Sequence, residues 1–372
     1  MEELILVGGG LANGLLAHRL AVLRPALRFR LLEAGPTLGG NHTWSFHGSD
    51  VTDDQRKWLT PLCAGSWTGH HILFPASARV LGGSYHSIRS GDFHRLLMQQ
   101  LGDRVRLNTP VAEVAADSVR LASGERLEAR TVIDGRGRFV SPAAGFQKFL
   151  GQDLILEAPH GLTRPVLMDA SVEQLDGFRF VYALPWDARR VLIEDTTYSD
   201  SPALDPAALR QRIADWARAR GWSIAAVERE ELAALPIPLG GQAPRLTLPT
   251  LGVSAGFFHA TTGYSLPWAA SLADTLASLP TLDPASLTAR LNRLAQSHWR
   301  SQGFYRLLNR MLFGALPPNE RVRIFSAFYE HPEALVARFY AGRLTLADKL
   351  AVFRRGAGSV PTLKALGAAV GR

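Results

Sequence analysis

Three consecutive glycines, Gly8-Gly9-Gly10, stand between a short apolar run and an apolar helical stretch, and this arrangement constrains the fold more than any other feature of the chain. Residues 3–7 (Glu-Leu-Ile-Leu-Val) read as a buried strand and residues 11–23 as a helix. Residues 28–33 (Arg-Phe-Arg-Leu-Leu-Glu) read as a second strand. The three make a β-α-β unit, whose parallel strands require a right-handed crossover. Within it the spacing is Gly8-x-Gly10-x-x-Asn13-Gly14, and Glu33 closes the second strand twenty residues after Asn13. Gly8 permits the tight turn. Gly10 lets the backbone approach a pyrophosphate, which meets the free N–H groups and positive dipole end of the helix. Glu33 accepts hydrogen bonds from a ribose hydroxyl. Asn13 stands where a third glycine is expected, with Gly14 beside it, which predicts slightly looser helix–strand packing.

This motif alone does not separate FAD from NAD. Two later features favour a flavoprotein layout. Thr131-Val-Ile-Asp134 is a short apolar strand followed by Gly135, and a glycine-rich return spans 252–267. Asp134, Thr262, Gly263 and Tyr264 are therefore expected beside the cofactor. The acid that often follows the glycine in such a return is absent, since Phe257 follows Gly256. The carboxylate of Glu33 disfavours a 2′-phosphate, so NADP is not the ligand expected in this site.

Charge and cysteine content narrow the class. The net charge is +8, and residues 285–372 carry fourteen positive against four negative side chains, an excess of ten. A basic excess confined to one region suggests an anionic partner. Ten aromatic residues, Trp299 and Phe353 among them, interleave with these arginines, a composition suited to a lipid interface; no nucleic-acid motif is present. The N-terminus does not read as a secretory signal, and no apolar run reaches the ~20 residues of a spanning helix. The expectation is a cytoplasmic protein peripherally associated with a membrane. The single cysteine, Cys63, fits a reducing compartment and offers no cysteine metal cluster.

From about 150 to 245 the segments become longer and strand-like. Phe178-Arg-Phe-Val-Tyr-Ala-Leu184 and Arg190-Val-Leu-Ile-Glu-Asp-Thr-Thr-Tyr198 alternate with period two and read as a hairpin. Alternation sends Leu192, Glu194, Thr196 and Tyr198 to one face, and Val191, Ile193, Asp195 and Thr197 to the other. Phe178, Phe180 and Tyr182 share one face of the partner strand. Their rings suit a bound cation, and they suit an ordinary core equally. Residues 205–220 read as a helix opened by Asp205-Pro206. The tail reads as helices broken near Pro317-Pro318, Pro332 and Gly356. The expected architecture is an α/β flavoprotein: a Rossmann-type FAD domain (1–147, with a return at 247–284), a β-sheet substrate domain (148–246) and a basic helical membrane-associating region (285–372).

Several longer stretches carry a family resemblance. They include Leu4-Ile-Leu-Val-Gly-Gly-Gly-Leu-Ala-Asn-Gly14, Gly39-Gly-Asn-His-Thr-Trp-Ser-Phe46, Phe178-Arg-Phe-Val-Tyr182, Ile193-Glu-Asp-Thr196, Phe258-His-Ala-Thr-Thr-Gly-Tyr-Ser-Leu-Pro267 and Phe304-Tyr-Arg-Leu-Leu-Asn-Arg-Met-Leu-Phe313. With these the chain resembles, over nearly its whole length, the bacterial branch of the flavin-dependent lycopene cyclases, which are related in fold to aromatic hydroxylases and geranylgeranyl reductases. The resemblance implies an acid-initiated, non-redox closure of the ψ-ends of lycopene, or other carotenoids with acyclic ends, to β-rings, through γ-carotene to β-carotene. It also implies reduced FAD as the active cofactor and NADPH or NADH as its reductant. It makes Glu194 the catalytic acid and counts Asp195, beside it in the same acidic motif, as a second catalytic residue. Read from the residues alone, the two acids fit a surface hairpin equally well. His42, Trp44 and His259 are expected to pack near the flavin. A redox flavoenzyme of the same fold, such as a polyprenyl reductase or a hydroxylase, is the alternative; a carotenoid-binding membrane protein without catalysis is a second.

Overall fold

The computed structural model describes residues 2–358. Its strands are β1 (Glu2–Val7), β2 (Phe29–Leu32), β3 (Thr43–His47), β4 (Gly65–Phe74), β5 (Ser77–Arg89), β6 (Val105–Arg106), β7 (Val111–Val114), β8 (Ser118–Leu121), β9 (Arg126–Asp134), β10 (Ala144–Leu156), β11 (Val166–Asp169), β12 (Gly177–Pro185), β13 (Arg190–Ser199) and β14 (Ile224–Pro238). Its helices are α1 (Leu11–Leu23), α2 (Asp53–Leu59), α3 (Ser90–Leu101), α4 (Pro206–Arg218), α5 (Leu266–Ala277), α6 (Pro284–Ser301), α7 (Gly303–Ala315), α8 (Val322–Phe328), α9 (Glu333–Tyr340) and α10 (Leu346–Gly358).

A six-stranded sheet has the order β6-β2-β1-β9-β8-β7. Its first four strands are parallel, with β1 paired to β2 on one side and β9 on the other. Leu4, Ile5, Leu6 and Val7 are buried on both faces, as a central parallel strand requires. On one face α1, α3, α5 and α6 close a core around Leu6, Leu15, Phe93, Leu272 and Leu291. The glycine-rich return meets this sheet at the end of β9, where Leu251 N–H donates to the Asp134 carbonyl at 2.9 Å.

The second sheet has eight strands in the order β14-β10-β13-β12-β11-β4-β5-β3. Every pairing in it is antiparallel except β11 with β4. Residues 43–89, assigned from sequence to the cofactor domain, thus supply three of its strands, and β10 begins at Ala144, before the expected boundary at 148. The β4–β11 pairing that joins the three to the rest of the sheet links segments nearly a hundred residues apart, beyond the reach of local periodicity. The β12–β13 hairpin forms with Phe180 opposite Thr196 and Tyr182 opposite Glu194.

One face of this sheet is covered by α4, around Val191, Ile193, Leu209 and Trp216. Asp205 caps α4 by accepting from Ala208 N–H, and Pro206 occupies its first turn. The other face looks toward α7, α8 and α9, through Phe178, Phe180, Tyr182, Leu312, Phe325 and Val336. The tail helices break at Pro317-Pro318 and Pro332 as the prolines dictate. Gly356 is different, for it lies inside α10. A single glycine costs a helix only ~1 kcal/mol, so the neighbouring turns carry it. No helix among the described residues is long and apolar enough to cross a membrane.

Candidate active site

A cavity of about 1110 Å³ runs from the Gly8–Gly10 turn, along the inner face of the eight-stranded sheet, to the tail helices. Ordinary small-molecule pockets span ~300–1,000 Å³, so this one has room for a dinucleotide at one end and a long apolar ligand at the other.

The dinucleotide end is built from backbone. Gly8 adopts φ +88, and a β-carbon there would stand 3.0 Å from Cγ of Arg136. A β-carbon on Gly10 would meet nothing within 4 Å, which is the open cradle a phosphate needs. The N-terminus of α1 has no side-chain cap and no acid in its first turn, so its N–H groups stay free for an anion. Glu33 lines the cavity, its carboxylate held by Gly9 N–H at 2.7 Å and Gly35 N–H at 2.8 Å. Thr262, Gly263 and Tyr264 also line the wall. These residues fit a bound dinucleotide.

Asn13, Gly14 and Asp134 are absent from that wall and act behind it. The Asn13 amide donates to the carbonyls of Val7 (2.9 Å) and Gly8 (3.1 Å), so it ties helix to strand where looser packing was expected. Gly14 meets α3: a β-carbon there would come within 2.5 Å of the Phe93 ring. Asp134 grips Arg136 at 3.0 Å, and it is Arg136 that reaches the cavity. The motif had no signal for this arginine, which follows the strand by two residues and belongs to no pattern.

Glu194 opens onto the apolar end, between Tyr182 on β12 and Gly151 on β10. Thr196 Oγ1 donates to Glu194 Oε1 at 2.5 Å. Burial pushes the carboxyl up to about 8; the Thr196 hydroxyl pulls it back and the Glu231 charge raises it again. The acid is therefore protonated at neutral pH. Asp195 faces α4 and is fully buried in an ion pair, with Arg179 Nη2 at 2.6 Å and Nε at 2.9 Å from its Oδ2. Burial raises Asp195, while the guanidinium pulls it down.

Phe180 and Tyr182 line the cavity beside Glu194, with Tyr198, Phe325 and Phe328. Phe178 does not reach it, because its ring stacks on Phe325 with centroids 3.8 Å apart. A hydroxyl chain along the wall joins Tyr264 to Tyr85 (2.9 Å), Tyr85 to Tyr182 (2.9 Å) and Tyr182 to Ser45 (2.8 Å). Tyr85 lies in β5, which no motif marked, whereas Ser45 of β3 falls inside the Gly39–Phe46 stretch that carries the family resemblance. His259 is buried and neutral, lowered to about 3 by burial, and Nε2 stands 3.0 Å from the Phe339 carbonyl, so it locks the return segment to α9. Trp44 packs edge-on to Phe93.

Five of the ten tail aromatics turn inward: Phe325, Phe328, Tyr329, Phe339 and Tyr340 all line the cavity. Part of the tail's charge is also spent internally. Arg321 is buried against Asp200, and Arg338 pairs with Asp348. Lys364 and Arg372 lie outside the described residues.

The fold has counterparts of known structure. HpxO from Klebsiella pneumoniae, solved in complex with FAD and uric acid, superposes with a TM-score of 0.61 at 17% identity, over 92% of this chain and 96% of that one. The architecture is that of the α/β flavoproteins. Within that class the lycopene cyclase protein family model matches residues 3–366, and the chain belongs to this family. The lycopene beta-cyclase of Pseudescherichia vulneris is 52% identical over 356 residues, covering 94% of this chain and 92% of its own. That of Pantoea ananas is 48% identical over 370 residues, with 98% and 97% covered.

Proposed function

We propose that the chain is a lycopene β-cyclase and that Glu194 is its general acid. The observation that carries this is a carboxyl set on the wall of a long apolar cavity, where burial pushes it up to about 8. Lycopene offers no polar group to bind, so apolar walls and shape supply its recognition. Glu194 gives its proton to the inner CH carbon of the terminal double bond, leaving the positive charge on the carbon that bears the two methyl groups. The tertiary cation so formed is attacked by the neighbouring double bond, which closes the ring. A proton then leaves the ring carbon attached to the polyene, setting the β-ring alkene and restoring the acid. Reactant and product are isomers, so nothing is oxidised. Phe180 and Tyr182 present π-faces to the transient cation. The apolar walls exclude water that would trap it.

FAD is the cofactor supported by the free α1 N-terminus, the Gly10 cradle and Glu33; bound in reduced form, it would supply negative charge near the cation. NADPH or NADH would serve as its reductant, without consumption in proportion to product. A membrane is the source of so apolar a substrate. Leu346 and Leu350, 85% and 49% exposed, stand one turn apart on α10. Lys349 and Arg354 flank them, and Val352 on the same helix lines the cavity.

Anaerobic incubation with lycopene liposomes and reduced FAD tests the reading. Glu194→Gln keeps the shape without a strong proton, so ring closure should drop by ~10²–10⁴-fold with flavin content preserved. Asp195→Asn should instead lower stability, since it strips the charge partner from buried Arg179. An active Glu194→Gln beside a normally folded but dead Asp195→Asn would show that the wrong carboxyl has been chosen.

A further inference from the structure

A second carboxylate lies in the same cross-strand row as Glu194. Tyr182, Glu194, Gly151 and Glu231 stand opposite one another on β12, β13, β10 and β14, so all four project to the cavity face. Adjacent strands lie ~4.8 Å apart, which sets the two glutamates about 10 Å apart at the backbone. Gly151 stands between them with no side chain of its own. A β-carbon there would come only to ordinary contact, 3.4 Å from Glu194 Oε2 and 3.4 Å from Leu192 Cδ1, so the Glu194 oxygen overhangs the glycine.

Glu231 continues the line outward. Its side chain is buried, and its Oε1 stands 3.1 Å from His42 Nδ1. Arg229 Nη1 donates to its Oε2 at 3.3 Å and supplies the countercharge. Arg229 is itself fixed by Asp153, Asn41 and Thr43. His42 belongs to the exposed turn 40–42, and its side chain is 51% exposed. Asn41 ties that turn to β14 by donating to the Glu230 carbonyl at 2.7 Å. The order along the cavity wall, from the acid toward the exposed turn, is thus acid, glycine, carboxylate, imidazole.

The chemistry gives such a line a use. Each ring closure takes one proton from Glu194 and returns one from the substrate, while the carotenoid fills the apolar side of the cavity. We propose that Glu231 and His42 form a proton relay that exchanges the Glu194 proton with solvent, through a water seated over Gly151. This rests on Glu194 being the acid. For every proton passed inward one passes outward, so neither charge nor redox state changes.

The relay predicts where solvent hydrogen appears. Turnover of lycopene in liposomes with reduced FAD is run in deuterium oxide. The ring methylene beside the gem-dimethyl carbon, which receives the acid's proton, is read by mass spectrometry and NMR. The parent should label this carbon fully. Glu231→Gln and His42→Gln should each lose label, because Glu194 then hands on protium recovered from the substrate. Gly151→Ala, whose new methyl sits at ordinary contact distance, should lose label by displacing the water. Imidazole added to His42→Ala should restore it, which a purely structural role would not allow. An unlabelled parent product, or full label in both Glu231→Gln and His42→Gln, overturns the relay. Should Glu231→Gln fail to hold flavin, His42→Gln at its exposed position decides alone. A Glu194→Gln protein that still closes rings sinks the acid assignment instead, whatever the label shows.

Discussion

Burial pushes both Glu194 and Asp195 toward the neutral form, and their different surroundings separate them. Asp195 meets the Arg179 guanidinium, whereas Glu194 meets one hydroxyl and the cavity. The consequence for pH follows from linkage. The Glu194 pKa rises from an ordinary 4.5 to about 8 in the folded chain. The folded state therefore holds a proton that the unfolded chain releases in this window. Stability is unaffected below 4.5, falls as pH rises toward about 8, and stays lowered above it. Glu194→Gln does not titrate, so it should gain on the parent when urea midpoints at about pH 5 and about pH 9 are compared. An unchanged difference between the two proteins would mean that the carboxyl is ionised throughout. Ring closure itself should fall about tenfold per pH unit above the Glu194 pKa, as its protonated fraction declines. Period-two alternation alone sent Glu194 and Asp195 to opposite faces. It had no means of naming Arg179, because partnership depends on which residue the neighbouring strand sets alongside.

At the scale of elements, the first β-α-β unit was legible because each part obeys a short-range rule. An apolar run makes a buried strand, glycines make the turn, and an apolar helix follows. The details behind the turn were not legible. Asn13 replaces a glycine yet strengthens the joint, since its amide satisfies two strand-end carbonyls. Gly14 takes over the close-packing role against Phe93 of α3, eighty residues away in sequence. Gly14→Ala should therefore overpack this joint and cost ~1–3 kcal/mol, read as a lower urea midpoint. A midpoint equal to the parent's would show that α3 gives way freely. The hairpin and the Asp205 cap of α4 were likewise readable from local pattern. The joining of β3, β4 and β5 to the large sheet was not, since it runs through the pairing of β4 with distant β11.

For the molecule as a whole, the basic tail was legible as composition but not as geometry. Its rings were expected to face lipid; five of the ten line the cavity instead, because the open face of the eight-stranded sheet needs an apolar cover. What remains outward is a small apolar pair on α10. If it seats the protein on membranes, Leu346→Glu with Leu350→Glu should weaken sedimentation with anionic vesicles by at least about tenfold, given ~1.5–3 kcal/mol per buried leucine. Unchanged sedimentation would remove α10 from the interface. The amino-acid sequence by itself determined the glycine turn, the strand alternation that sets Glu194 and Asp195 on opposite faces, the helix caps and the proline breaks. All of these follow from steric and hydrogen-bonding rules acting within a few residues. Only the tertiary structure decided that β3 to β5 join the substrate sheet, that Arg179 neutralises Asp195, that Tyr85 links Tyr182 to Tyr264, and that Gly151 stands between Glu194 and Glu231. Those contacts join residues far apart in the chain, and they exist only because burying the apolar faces of both sheets brings them together.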